Sequence, residues 1–100
     1  NNLIRPVRSV SYTGNPLIVL DTDGVLLVDT TGGNVPVSLP DPATIPTGRF
    51  FTIRKVDQSV NVVIISALGS ASVDTLSSFN LNNIGGCSLI SDGTNYFILP

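Results

Sequence analysis

The chain has 100 residues and a formal net charge of −2, and 12% of its side chains are charged, about half the usual ~25%. That length holds one domain, which can bury roughly two-thirds of its unfolded surface without staples. The five basic residues, Arg5, Arg8, Arg49, Arg54 and Lys55, form no dense run, which argues against nucleic-acid binding. No apolar stretch approaches the ~20 residues of a spanning helix, so membrane insertion is not expected.

In chain order, residues 3–10 carry Pro6 and two arginines. Proline removes a ladder donor, so we read residues 1–15 as an extended arm or edge strand, with the main domain over 16–100. Gly14-Asn15-Pro16 is a break. Residues 17–20 and 25–28 are short apolar strands separated by Asp21-Thr22-Asp23-Gly24. Val35, Val37 and Leu39 alternate with Pro36 and Ser38 as a half-exposed strand, and Pro36 places it at an edge. Three prolines in 40–48 make a loop. Residues 48–56 and 60–65 are rich in β-branched and aromatic side chains, and the short polar linker Asp57-Gln58-Ser59 reads as the turn of a hairpin. Residues 73–76, 79–81, 87–90 and 96–99 supply further short strands, with Ser91-Asp92-Gly93-Thr94-Asn95 as a strong turn. No window has a helical period. The expected fold is all-β, an antiparallel β-sandwich or jelly-roll-like barrel of about eight to ten short strands.

Residues 25–28 and 62–65 are apolar at successive positions, so both faces of those strands want cover, whereas a sandwich buries one face of each sheet. With so little charge, this pattern suits a module partly hidden by partners. Phe51, Ile53, Val37 and Leu39 are assigned to the core. Val25, Leu27, Val63 and Ile65 are assigned to an oligomer interface, and Val63→Asp is expected to give monomers or aggregates.

Catalysis has little to work with. The chain has no His and no Glu, and an uncoupled Ser hydroxyl is a weak nucleophile. Lys55 reads as a solvated edge charge. Cys87 stands alone and reads as a small buried apolar residue. The aspartates sit mostly in turns, where they cap their own backbone, and the Asp21-Thr22-Asp23-Gly24 stretch lacks the later Glu of a calcium loop. We therefore expect no catalytic residues, metal or cofactor. Polar turns that can hydrogen-bond sugar hydroxyls make Tyr12, Asn15, Asn82, Asn83, Asp92, Thr94, Asn95 and Tyr96 the candidate binding residues. The opening Asn1-Asn2, without Met, suggests a fragment or processed product.

The order of motifs Asp23-Gly24-Val25-Leu26-Leu27-Val28-Asp29-Thr30, Val35-Pro36-Val37-Ser38-Leu39-Pro40, Gly48-Arg49-Phe50-Phe51-Thr52-Ile53-Arg54-Lys55-Val56-Asp57 and Leu89-Ile90-Ser91-Asp92-Gly93-Thr94-Asn95-Tyr96-Phe97 resembles a small β-module of bacteriophage and large-virus appendages, such as tail fibres, tailspikes and head fibres. The resemblance spans roughly residues 16–99. It implies a homotrimeric virion protein on the particle surface that attaches to a host-surface glycan or protein and contacts other virion proteins. The family has no shared catalytic residues to carry over. Tyr96-Phe97 stands where the pattern frequently has Trp. Two alternatives are a capsid decoration or spike-base protein, docking through the 3–12 arm, and a polysaccharide-cleaving enzyme.

Overall fold

In the computed structural model, residues 6–12, 16–20 and 22–99 are described. Among them the chain forms nine strands: β1 (Val7–Ser11), β2 (Leu17–Ile18), β3 (Val25–Asp29), β4 (Val35–Leu39), β5 (Phe50–Lys55), β6 (Val63–Ala67), β7 (Phe79–Leu81), β8 (Gly85–Ser91) and β9 (Tyr96–Leu99). The prolines of the 40–48 segment leave room only for a single 3-10 turn, Pro42–Thr44, capped by the Asp41 carboxylate.

From β1 to β6 successive strands alternate between two layers, after which β7 stays in the second and β8 and β9 lie in the first. The first sheet has the order β1-β3-β5-β8-β9 and the second β2-β4-β6-β7. The expectation of an all-β, two-layered sandwich with about nine short strands is met. The antiparallel part of that expectation is corrected: β1 with β3, β3 with β5, β2 with β4 and β4 with β6 all pair in parallel. Only β5 with β8, β8 with β9 and β6 with β7 are antiparallel. The first six strands thus wind as stacked turns of a flattened coil, which is closer to a short solenoid than to a jelly roll. Val7, Val25 and Thr52 stack in one row and Leu17, Val37 and Ile65 in another.

The predicted hairpin over 48–65 does not form. β5 and β6 lie in different sheets. Residues 56–62 cross between layers about 10 Å apart, and that crossing uses the polar residues that resemble a tight turn. Pro36 is not at an edge either, since β4 lies between β2 and β6. The Val35 N–H donates to Val62 O of the β6 side, so the next residue faces the β2 side. There β2 pairs only with Val37 and Ser38, and no ladder bond is lost. β1 lies at the edge of the first sheet, paired in parallel with β3.

Strand alternation fills the space between layers. Leu26, Val28, Phe51, Ile53, Leu89 and Tyr96 come from the first sheet, and Val35, Val37, Leu39, Val63 and Ile65 from the second. Phe51, Ile53, Val37 and Leu39 are core residues, as predicted. Val63 and Ile65 are fully buried in the same core, which removes them from any interface. Their neighbour Ile64 points outward with Pro36 and Asn80. Val63→Asp would therefore report on folding, not on assembly. Phe51→Ala should cost about 3 to 5 kcal/mol, the usual penalty for emptying an aromatic core position. Chemical denaturation followed by circular dichroism measures it.

Candidate functional site

The winding gathers the connections at two opposite ends of the sandwich. At one end lie the links after β1, β3, β5 and β7. At the other lie those after β2, β4, β6 and β8.

At the first end, Lys55 continues the inward alternation of Phe51 and Ile53 and is completely buried. The expectation of a solvated edge charge is corrected, because β5 is a central strand. Its ammonium donates to Asp57 O at 2.8 Å, Ser59 O at 3.0 Å and Asp57 Oδ2 at 3.4 Å. Further carboxylate bonds come from Thr30 of the β3 link and from Ser59 of the β5 link itself. Thr30, also fully buried, donates its N–H to Asp57 Oδ1 at 2.7 Å and its hydroxyl to both carboxylate oxygens at 3.0 Å. The Ser59 N–H and hydroxyl donate to Asp57 Oδ2. Asn61 Nδ2 donates to Thr30 O at 2.8 Å. A buried cation needs a carboxylate and further acceptors around it, and this turn supplies both.

Burial opposes ionisation of Asp57, but the hydrogen bonds from Ser59 and Thr30 outweigh it and hold the carboxyl well below the usual range. The Lys55 ammonium is occupied by oxygens and does not bond the Ser59 hydroxyl. Chemically, the cluster clamps two successive links of the coil together. It was missed in the sequence because Lys55 and Asp57 are two apart at a strand end, while Thr30 is remote. The one available signal was Lys55 falling in phase with Phe51 and Ile53.

Tyr12 stands at the same end. Its ring lies on the backbone of Gly32 and Gly33. A methyl group added at Gly33 would meet the ring at 3.0 Å, and one at Gly32 at 3.3 Å. The ring remains 47% exposed, which leaves it open to a partner. Asn82 and Asn83, in the link after β7, are exposed at this end as well. Asn15 lies outside the described residues.

The remaining candidates are at the opposite end and are occupied. The Asp92 carboxylate accepts the N–H groups of Thr94 at 2.9 Å and Asn95 at 2.7 Å, and these bonds lower its pKa. Asn95 Oδ1 accepts the Ser72 N–H at 2.9 Å. Tyr96 is corrected as a binding residue. It is fully buried, and its hydroxyl donates to Pro40 O at 2.6 Å. Burial pushes its pKa up to about 12. The strand period places Tyr96 inward and Phe97 outward, 36% exposed, so the ring presented at the surface is the second of the pair. Thr94 is exposed on the turn. The eight candidates therefore do not make one site.

Asp23 is ion-paired with Arg8 at 2.7 Å and accepts the Leu20 N–H at 2.8 Å, a fastening of β1 to the β2 link. Burial pushes the Cys87 thiol up to about 11, which keeps it protonated near neutrality. Among the described residues no group of three His, Cys, Asp or Glu side chains is placed to hold a metal ion. The chain matches no protein-family model and no curated protein.

The depressed Asp57 pKa fixes a sign. A carboxyl with a lower pKa in the folded state stabilises fully above its unfolded value of ~3.9, and that contribution is lost as pH falls toward the folded value. Thermal unfolding should hold its midpoint down to about pH 4 and then fall. Asp57→Asn should lower the midpoint at neutral pH and flatten the acid limb. A midpoint and acid limb like those of the parent would refute the clamp.

Proposed function

We propose that this chain is a display and attachment module of a bacteriophage or large-virus appendage, working as a homotrimer on the virion surface. The observation that carries this reading is where the apolar surface lies. The outer side of the first sheet keeps Val7, Phe50, Phe97 and Leu99 exposed at 61, 41, 36 and 39%, in a chain with few charges to keep it apart from its neighbours. The motif resemblance over residues 16–99 supports the class.

Attachment falls to the first end, where Tyr12 packs against two glycines and Asn82 and Asn83 offer amide groups. An aromatic ring with one open face and nearby hydrogen-bonding groups suits a sugar ring or a shallow protein epitope. The mechanism is binding, without covalent chemistry. Three copies multiply weak contacts through effective concentration.

The alternative of a decoration protein that docks by adding β1 to a neighbouring sheet has less support. Arg8 turns inward from β1 to Asp23 and the Ile18 carbonyl, and Pro6 precedes the strand. Both are devices that blunt an edge.

Binding to host-envelope glycan arrays or whole cells tests the reading. Tyr12→Ala should weaken binding at least about tenfold, since a ring contact of about 1 kcal/mol is lost in each of three copies. Wild-type protein that binds no envelope component overturns the reading, and release of oligosaccharide from capsular glycans in a reducing-end assay replaces it with an enzyme.

A further inference from the structure

We infer that the outer face of the first sheet is a self-association surface, turned inward and covered by the neighbouring copies of this chain in the homotrimer. The inference rests on the homo-oligomeric reading above and names the surface through which it is achieved.

The membership of the face follows from register. Phe51, Ile53 and Lys55 point into the core, so Phe50, Thr52 and Arg54 point out. Pairing then puts Val7, Val25, Thr52, Ser88 and Leu99 in one row. Ser9, Leu27, Arg54 and Gly86 form the next, and Phe50, Ile90 and Phe97 lie on the other side. Two of the four predicted interface residues, Val25 and Leu27, are on this face. The exposed apolar strand residues lie mostly on the first sheet, with Ile18 of β2 the exposed one on the second, and not on β6.

The occupant is argued from what the face carries. It has projections, with Phe97 at its rim, and beside them a recess of about 270 Å3 between Thr52, Arg54, Ser88 and Leu99. Gly86 also lines it, where a methyl group would meet Ile53 O at 2.9 Å and Arg54 Cβ at 3.2 Å. The recess is smaller than the ~300–1,000 Å3 of small-molecule pockets, and its scale is that of one large side chain. A projection on one copy can enter the recess on the next, the head-to-tail contact that a closed ring of three requires. The charges of the face agree. The face bears one cation, Arg54, which forms no ion pair among the described residues, and one anion, Asp29. The Thr31 hydroxyl and N–H donate to Asp29 at 2.6 and 2.9 Å and keep it ionised. Leu27 pairs with Arg54, and Asp29 lies two residues further along β3. A second copy therefore brings a carboxylate to each guanidinium without leaving a like charge opposed.

Strand addition is the competing mode, and the edges resist it. β1 is blunted by Pro6 and Arg8, β2 has two residues and β7 three. Beside β9, residues 72–74 already bond Tyr96, with its N–H donating to Ser72 O and the Asp74 N–H donating to Tyr96 O. The face remains.

The test is size-exclusion chromatography with light scattering on the whole chain. Wild type should elute at an integral multiple of 10.5 kDa, three times that mass for the trimer. Leu27→Lys and Phe97→Ser each remove an outward side chain and should each fall to 10.5 kDa with an unchanged circular dichroism spectrum. Arg54→Ala, which leaves the apolar rows intact, should shift the mass toward the single chain in the same direction. A monomeric wild type overturns the inference. So does an oligomer that survives both Leu27→Lys and Phe97→Ser. The latter result refutes this face alone and leaves the attachment reading to the Tyr12 binding experiment, which is independent of it.

Discussion

Parallel pairing governs this molecule. Two strands in parallel cannot be joined by a tight turn, so the chain must leave the sheet and return. Here it returns through a strand in the opposite layer. Each full turn of two crossings adds a strand to both sheets, so β1 to β6 build two layers together and the core fills as the coil lengthens. The same rule sends the connections to two ends and leaves each sheet with one inner and one outer face. Only after β6 does the chain change habit, with antiparallel β7, β8 and β9 finishing both sheets. The position of every candidate residue follows from which end or face the coil assigns to it.

The Lys55 cluster meets a need created by that winding. Stacked links at a coil end carry backbone groups that neighbouring strands no longer satisfy. Thr30 O, Asp57 O and Ser59 O are such groups, and they accept from Asn61, Lys55 and Lys55. Asp57 gathers the donors of the link one row away. A hydrophobic pair of equal volume can match a buried ion pair in stability. It would take the Lys55 ammonium from the Asp57 and Ser59 carbonyls, while Thr30 O would keep Asn61 and the Gly33 N–H, so the polar solution suits a link rather than a core centre. At the opposite end the work is divided. Arg49 lies over the Phe51 ring at 4.3 Å, Tyr96 reaches Pro40, and Asp23 takes Arg8 and the Leu20 N–H.

Strand existence and the inward phase of β4 and β5 were legible in the sequence, because alternation at 35–39 and the pair Phe51 and Ile53 report burial directly. Connectivity was not. Whether residues 57–59 close a hairpin or begin a crossing depends on which strand lies beside β5, and that partner, β8, is thirty residues away. The apolar runs at 25–28 and 62–65 resemble strands buried on both faces. For β6 the inner residues Val63 and Ile65 belong to the core, while Ile64 is half covered by its row neighbours Pro36 and Asn80. A run of four apolar residues does not separate these roles. The binding residues divided for a similar reason. Tyr96 and Tyr12 have the same side chain, but one falls on an inward phase of a strand and the other follows a strand onto a glycine pair.

Edges and faces offer different routes to assembly. An open edge pairs with any extended chain, including unfolded ones, because backbone groups carry no sequence. A face is read through side chains and selects its partner by shape and charge. Arg8 is the clearest mark of the choice made here. It points inward from the outermost strand, and one of its atoms, Nε, is buried without a partner, a cost that an interior strand would not accept. That cost goes to the one edge where a parallel coil invites another row. With that route obstructed, the self-association proposed above would fall to the low-charge, partly apolar outer side of the first sheet, where side chains rather than backbone groups select the partner.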